Sequence, residues 1–202
     1  HMKWDDYHDS ISGVGAWWVR GTVNASTAET TGLEVNATYQ PTSRLSISGS
    51  LFVANPEFTD DYINPNTGGL EIRDGQAMPG SPEEKAWLSI TYDIPDVLGG
   101  NMWVYYDISY QSETWNDSAN ARDLDENGLA DSWTYSNLQV GLNLANGWDV
   151  TLHINNLFDQ ETYSWISTYD NDDADLFGDP RYHNVRSIDR PRTTWLQVKK
   201  SF

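Results

Sequence analysis

Oxygen ligands spaced at alternate positions around a glycine offer the most definite chemistry in this sequence. They lie in the run Asp123-Leu124-Asp125-Glu126-Asn127-Gly128-Leu129-Ala130-Asp131. Calcium takes about six to eight oxygens, and such spacing lets them converge where glycine permits a sharp turn. In that reading the side chains of Asp123, Asp125, Asn127 and Asp131 and the carbonyl of Leu129 hold Ca2+. A helix–loop–helix calcium site would close with glutamate at the twelfth position, which here is Thr134, and no flanking helices are expected. The same residues also fit an acidic turn held by Asx hydrogen bonds, with no ion needed.

A second acidic group, Asp170, Asp172, Asp173, Asp175 and Asp179, fits a solvated loop or a cation site. Trp115, Trp133 and Trp165 fall in or beside long polar connections, where an indole could stack on a sugar or another planar ligand. Trp17, Trp18, Trp103 and Trp148 suit packing or a membrane-interface girdle. His8, His153 and His183 are far apart and lack the spacing of a zinc site, and His153 reads as a hydrogen-bonded filler on a polar face. Asp5-Asp6 and Asp172-Asp173 are a poor basis for a pair of catalytic carboxylates. No nucleophile elbow or phosphate-cradling glycine loop occurs, so no enzymatic activity is expected.

The elements that must position these residues repeat with a period of two, the signature of strands. Leu33, Val35, Ala37 and Tyr39 alternate with Glu34, Asn36, Thr38 and Gln40. The same alternation runs through 45–53, 86–93, 102–111, 138–145, 148–155 and 194–199. This predicts an all-β fold of about seven full antiparallel strands, with residues 3–9 as the end of an eighth. Connections alternate in length. Pro41-Thr42-Ser43, Ile94 to Asn101 and the hairpin signal Asn146-Gly147 are short, whereas 55–84, 112–132 and 159–191 are long. A transmembrane barrel has this asymmetry, with short periplasmic turns and long outer loops. A soluble sandwich or lipocalin-like barrel shares the period of two, so periodicity alone leaves both open.

Composition narrows the classes further. The chain has 202 residues, with 10 Trp and 11 Tyr against 5 Phe, an excess of rings that suit half-wet interfaces. With 12 basic and 30 acidic residues the net charge is −18, which should repel a phosphate backbone, so no nucleic-acid partner is expected. There is no cysteine, and no apolar run approaches the roughly 20 residues of a membrane-spanning helix. His1-Met2 reads as a cloning scar, with the natural protein extending upstream.

Four stretches carry a family resemblance. Thr31-Gly32-Leu33-Glu34-Val35, Tyr39-Gln40-Pro41 and Leu45 to Ser50 resemble the late-barrel hairpin of TonB-dependent outer-membrane receptors. Met78-Pro79-Gly80-Ser81-Pro82 resembles their re-entry into the barrel. Asn155 to Tyr163 is similar to the family's Asn-Leu-Phe-Asp segment, and Arg190-Pro191-Arg192-Thr193 leads into a last strand ending at Phe202. Lys200 departs from the pattern, standing on the outward face where the family often has an aromatic; its long stem could snorkel to the interface.

The resemblance implies the C-terminal part of a larger transmembrane barrel in the bacterial outer membrane, as one barrel domain over residues 1–202 without the plug. The parent would import a scarce small-molecule solute, with TonB acting only through that missing plug. Phe202 would be read by the barrel-assembly machinery, and lipid or detergent would cover the outward face. Such receptors have about 22 strands. A piece of seven or eight therefore leaves open edges that must close into a small barrel, pair with another copy, or be covered by detergent. The rival reading is a soluble, secreted glycan-binding module with calcium-stabilised loops.

Overall fold

The computed structural model describes residues 1–12, 20–116, 128–169 and 183–201. Eight antiparallel strands form one sheet: β1 (Met2–Ser12), β2 (Arg20–Thr42), β3 (Leu45–Phe58), β6 (Glu84–Val97), β7 (Gly100–Gln111), β10 (Trp133–Leu144), β11 (Trp148–Asn155) and β14 (Thr193–Lys200). Each pairs with its neighbours in the order given, so the sheet is an up-and-down meander with β1 and β14 at its two ends. The strand expected around residues 3–9 is β1. Three two-stranded hairpins stand between the main strands: β4 (Tyr62–Ile63) with β5 (Leu70–Ile72), β8 (Thr114–Trp115) with β9 (Leu129–Ala130), and β12 (Tyr163–Tyr169) with β13 (His183–Ile188).

Register turns the period of two into two continuous faces, because directly opposed residues share a side of the sheet. Tyr39 opposes Ile47, Ile47 opposes Ile90, and Ile90 opposes Tyr106. Tyr106 opposes Leu138, Leu138 opposes Ile154, and one row away Leu152 opposes Leu196. This apolar face crosses seven strands and is not covered: Leu33 is 65% exposed, Leu196 62% and Val198 52%. A single sheet has no second layer to bury such a face, and in water a patch of this extent would be an association liability. The opposite face carries the row Ser48, Ser89, Asp107 and Asn137 in direct cross-strand register. Asn137 Nδ2 donates to Asp107 Oδ2 at 2.9 Å.

Ser43-Arg44, Leu98-Gly99 and residues 145–147 make the short turns at one end of the sheet. Leu98 and Gly99 have φ of 51° and 78°, the left-handed pair of a tight hairpin. The other end differs from expectation. β2 starts at Arg20 and β3 runs on to Phe58, and each long link holds a small hairpin. At 23 residues β2 exceeds the roughly 9–11 that cross a bilayer, so its outer half stands clear of lipid. There lies a small hydrophobic core: Ala25, Ala28, Phe58, Ile72 and Met78, flanked by Tyr7, Val23 and Tyr62. Tyr7 meets Phe58 edge-on at 5.0 Å.

Candidate ligand-binding site

The loop end of the polar face holds an open cavity of about 480 Å3. Trp133 and Tyr135 enter it from the start of β10, and Asn155 and Asn156 from the end of β11. Asp189, Arg190 and Pro191 come from the segment before β14. The Trp133 and Tyr135 rings are 5.5 Å apart at 71°. Their residues, with Asn137, fall on the same side of β10 because they are spaced by two. A ligand here meets ring faces, amides and one charge of each sign.

The cavity floor is a hydrogen-bonded knot built around Asn156. Its φ is 50°, a conformation asparagine tolerates better than most residues, and it is 2% exposed. Its Nδ2 donates to the carbonyls of Gln160 at 2.8 Å and Arg190 at 3.3 Å. Its Oδ1 accepts from the Gln160 N–H at 2.9 Å, and its own N–H donates to Asn137 Oδ1 at 3.2 Å. Asp159, at φ 54°, accepts from the Arg192 N–H at 2.8 Å, and the Arg192 guanidinium lies 3.9 Å from its other oxygen. Thr162 Oγ1 is 2.8 Å from Tyr135 Oη and 2.9 Å from Asp189 Oδ2. The Asn-Leu-Phe-Asp segment and Arg190-Pro191-Arg192 are thus one structural unit. They fasten the end of β11 to the start of β14 beneath the last loop. Both stretches stand out in the sequence, but spacing does not join them; the local signal is polar Asn and Asp where turns need left-handed backbone.

Of the three candidate stacking residues, Trp115 and Trp133 line different cavities. Trp115 borders one of about 260 Å3 with Glu83, Glu84, Glu113 and Tyr110. Its carbonyl accepts from the Gly80 N–H at 2.7 Å, which ties β8 to the Met78-to-Pro82 segment. Trp165 is opposite Ser187 in the β12–β13 hairpin, and its side chain lies outside the described residues. For the calcium candidate, Asp123, Asp125 and Asn127 lie outside the described residues, as does the acidic group from Asp170 to Asp179. Leu129 is in β9 opposite Trp115, and Asp131 is exposed just after it. Among the described residues no group of three or more His, Cys, Asp or Glu is placed to hold a metal.

His153 and Lys200 each have a specific aromatic neighbour. His153 fills space by stacking on Trp195, 4.7 Å away at 6°, and its buried Nε2 has no hydrogen-bond partner among the described residues. The ring thus packs as an aromatic filler against Trp195. Lys200 lies with Nζ 5.3 Å from the Trp148 ring centroid and donates to the Asn146 carbonyl, so its charge is held at the turn end while its stem covers the apolar face.

The family model described as TonB dependent receptor-like, beta-barrel, matches residues 3–157. The chain belongs to the TonB-dependent receptor β-barrel family. Its members are receptors and transporters of the bacterial outer membrane. Among solved structures, the ferric yersiniabactin uptake receptor FyuA from Yersinia pestis is similar, with 19% identity and a TM-score of 0.69, covering 90% of this chain and 25% of that one. The siderophore receptor PiuA from Acinetobacter baumannii has 18% identity and a TM-score of 0.63, covering 96% of this chain and 24% of its own. The copper transporter OprC has 18% identity and a TM-score of 0.61, covering 99% and 27%. This TonB-dependent receptor barrel chain thus spans about a quarter of each of those structures. No curated protein matches it in sequence. The soluble glycan-binding reading finds no support, because that reading needs the apolar face inside and the structure leaves it bare.

Proposed function

We propose that this chain is part of the wall of a longer receptor that imports a scarce small solute, with energy supplied through TonB. One observation carries the reading. A single-layer sheet exposes an apolar face across seven strands and keeps a cavity at the loop end of its polar face. Lipid would cover the first face, and an aqueous lumen would run along the second. A solute entering from the loop end would then meet Trp133, with Tyr135, Asn155 and Arg190 beside it. Trp115 and Trp165 would add contacts from neighbouring hairpins.

The open ends of the sheet support membership of a larger wall, since unpaired strand edges are not tolerated in lipid. TonB would act through a plug domain, and Phe202 would present the last strand to the barrel-assembly machinery. Calcium on Asp123, Asp125, Asn127, Asp131 and the Leu129 carbonyl would brace the β8–β9 hairpin. The names of the similar receptors speak of a ferric siderophore and of copper, which sets the class of solute to try first.

The test is uptake of radio-iron, supplied as ferric siderophores, and of radio-copper by cells carrying the whole receptor that contains this chain. Uptake of one of these should disappear without TonB and fall with Trp133→Ala. Uptake that continues unchanged without TonB contradicts the proposal.

A further inference from the structure

Two cavities at opposite ends of the polar face are lined by the same kinds of side chain. The second lies at the short-turn end, holds about 380 Å3, and is walled by Arg44, Asp93, Asn101, Trp103 and Asn143. Asp93 opposes Trp103, Trp103 opposes Gly141, and Asn101 opposes Asn143, which puts these residues on the polar face. Arg44 is tied to Asp93 through the backbone, its carbonyl accepting from the Asp93 N–H at 2.9 Å. Trp103 has its counterpart at the loop end in Trp133, Arg44 in Arg190, and Asp93 in Asp189. Asn143 and Asn101 correspond to Asn137 and Asn155, and Pro95 to Pro191.

A column of rings joins the two cavities. Along β7 and β10 the polar face carries Trp133, Tyr135, Tyr105 and Trp103 in that order from loops to turns, because Tyr135 opposes Ser109 and Tyr105 opposes Gln139. Gln111, opposite Trp133, is eight residues from Trp103, so the column runs about 27 Å along the strands. The hydrogen-bonded pair of Asn137 and Asp107 fills the step between Tyr135 and Tyr105. At the turn end, Cε2, Nε1 and Cζ2 of Trp103 are the atoms nearest to where a Cβ at Gly141 would stand. The indole therefore lies along the wall with one face on the glycine and the other toward the cavity. That face can stack on a planar ring. Arg44 is exposed and has no ion pair among the described residues, which leaves its guanidinium for an anionic oxygen. At roughly 30 Å3 for one water-sized group the cavity takes about a dozen such groups, the bulk of a substituted benzoate.

We infer that the turn-end cavity is a second station for the solute, on the wall itself, reached after the loop-end cavity and before release to the periplasm. The matched linings make the ligand one chemical class, a planar ring that carries an anionic oxygen and hydroxyl groups. Arg44 pairs with the anionic oxygen, Trp103 stacks on the ring, and Asp93, Asn101 and Asn143 meet the hydroxyls. The inference rests on the solute-import reading and adds to it where the solute pauses on its way out.

The test labels the whole receptor that contains this chain, in micelles, with the photoreactive acid 4-azidosalicylate, and maps the labelled peptides by mass spectrometry. Label that excess salicylate suppresses should appear both around Trp103 and around Trp133. Arg44→Gln should lower the label around Trp103 roughly tenfold, the effect of losing one charged hydrogen bond, and leave that around Trp133 unchanged. Arg190→Gln should do the reverse. Circular dichroism in the same micelles reports that each variant is folded. Label around Trp133 alone overturns the second station and leaves the import reading standing; the turn-end cavity is then closed to solute, for instance by another part of the receptor. Label at neither place overturns the loop-end solute site as well. Label around Trp103 that salicylate does not suppress, or that persists in folded Arg44→Gln, also overturns the inference.

Discussion

The indole of Trp103 covers Gly141, its directly opposed neighbour across β7 and β10, so closely that a Cβ at 141 would collide with the ring. Both face the polar side, and a glycine that would weaken an isolated strand is here the space the ring occupies. Gly141→Val should therefore destabilise the folded wall in detergent by about 1–3 kcal/mol, the usual penalty for overpacking. A lowered denaturation midpoint, followed by tryptophan fluorescence, is the readout, and Gly141→Val at the wild-type midpoint contradicts the packing.

Asn156 makes a second prediction. Asn156→Ala removes both carbonyl partners and the acceptor for Gln160, and puts alanine at positive φ. The expected loss is on the order of 2–3 kcal/mol. Because the knot fastens the base of the last loop, limited proteolysis should cut faster between Glu161 and Arg190 than in the wild type. Equal cutting rates would show that the loop is anchored elsewhere.

The two faces predict opposite responses to one substitution. Leu88→Arg puts a charge at lipid depth and should cost about 2–4 kcal/mol. Ser48→Arg, on the polar face and opposite Thr38 and Ser89, should cost under about 1 kcal/mol. Refolding yield into micelles separates them, and equal yields would mean that neither face meets lipid.

Terbium, a luminescent stand-in for calcium, checks the acidic run. If Asp123, Asp125, Asn127, Asp131 and the Leu129 carbonyl form a site, Trp115 opposite Leu129 is close enough to sensitise the ion. Excitation of tryptophan should then give terbium emission that excess calcium quenches and that Asp125→Asn with Asp131→Asn abolishes. Emission unchanged in the double variant would leave an acidic turn and no site.

The membrane-crossing part of this wall was legible because one face must be apolar there. The alternations 33–39 and 45–53 therefore showed through as β2 and β3. Outside lipid that constraint ends. Arg20 to Thr30 is strand without clear alternation, and the small core of Phe58, Ile72 and Met78 is assembled from a long link with no strong pattern. Trp115 and Trp133 stand out in sequence as candidate stacking residues, but which cavity each lines depends on how the hairpins fold back, which spacing does not encode. The meeting of Asn156 with Asp189 and Arg190 was hidden for the same reason: Asn156 and Arg190 are 34 residues apart in sequence.

The most direct test of the account is whether the purified chain needs a micelle to stay monodisperse, measured by size-exclusion chromatography with light scattering in buffer and in detergent. The account predicts β-structured, monodisperse particles only with detergent, since the face from Leu33 to Val198 has no other cover. A folded, monodisperse monomer in plain buffer would contradict it, because that face would then have to be an interior.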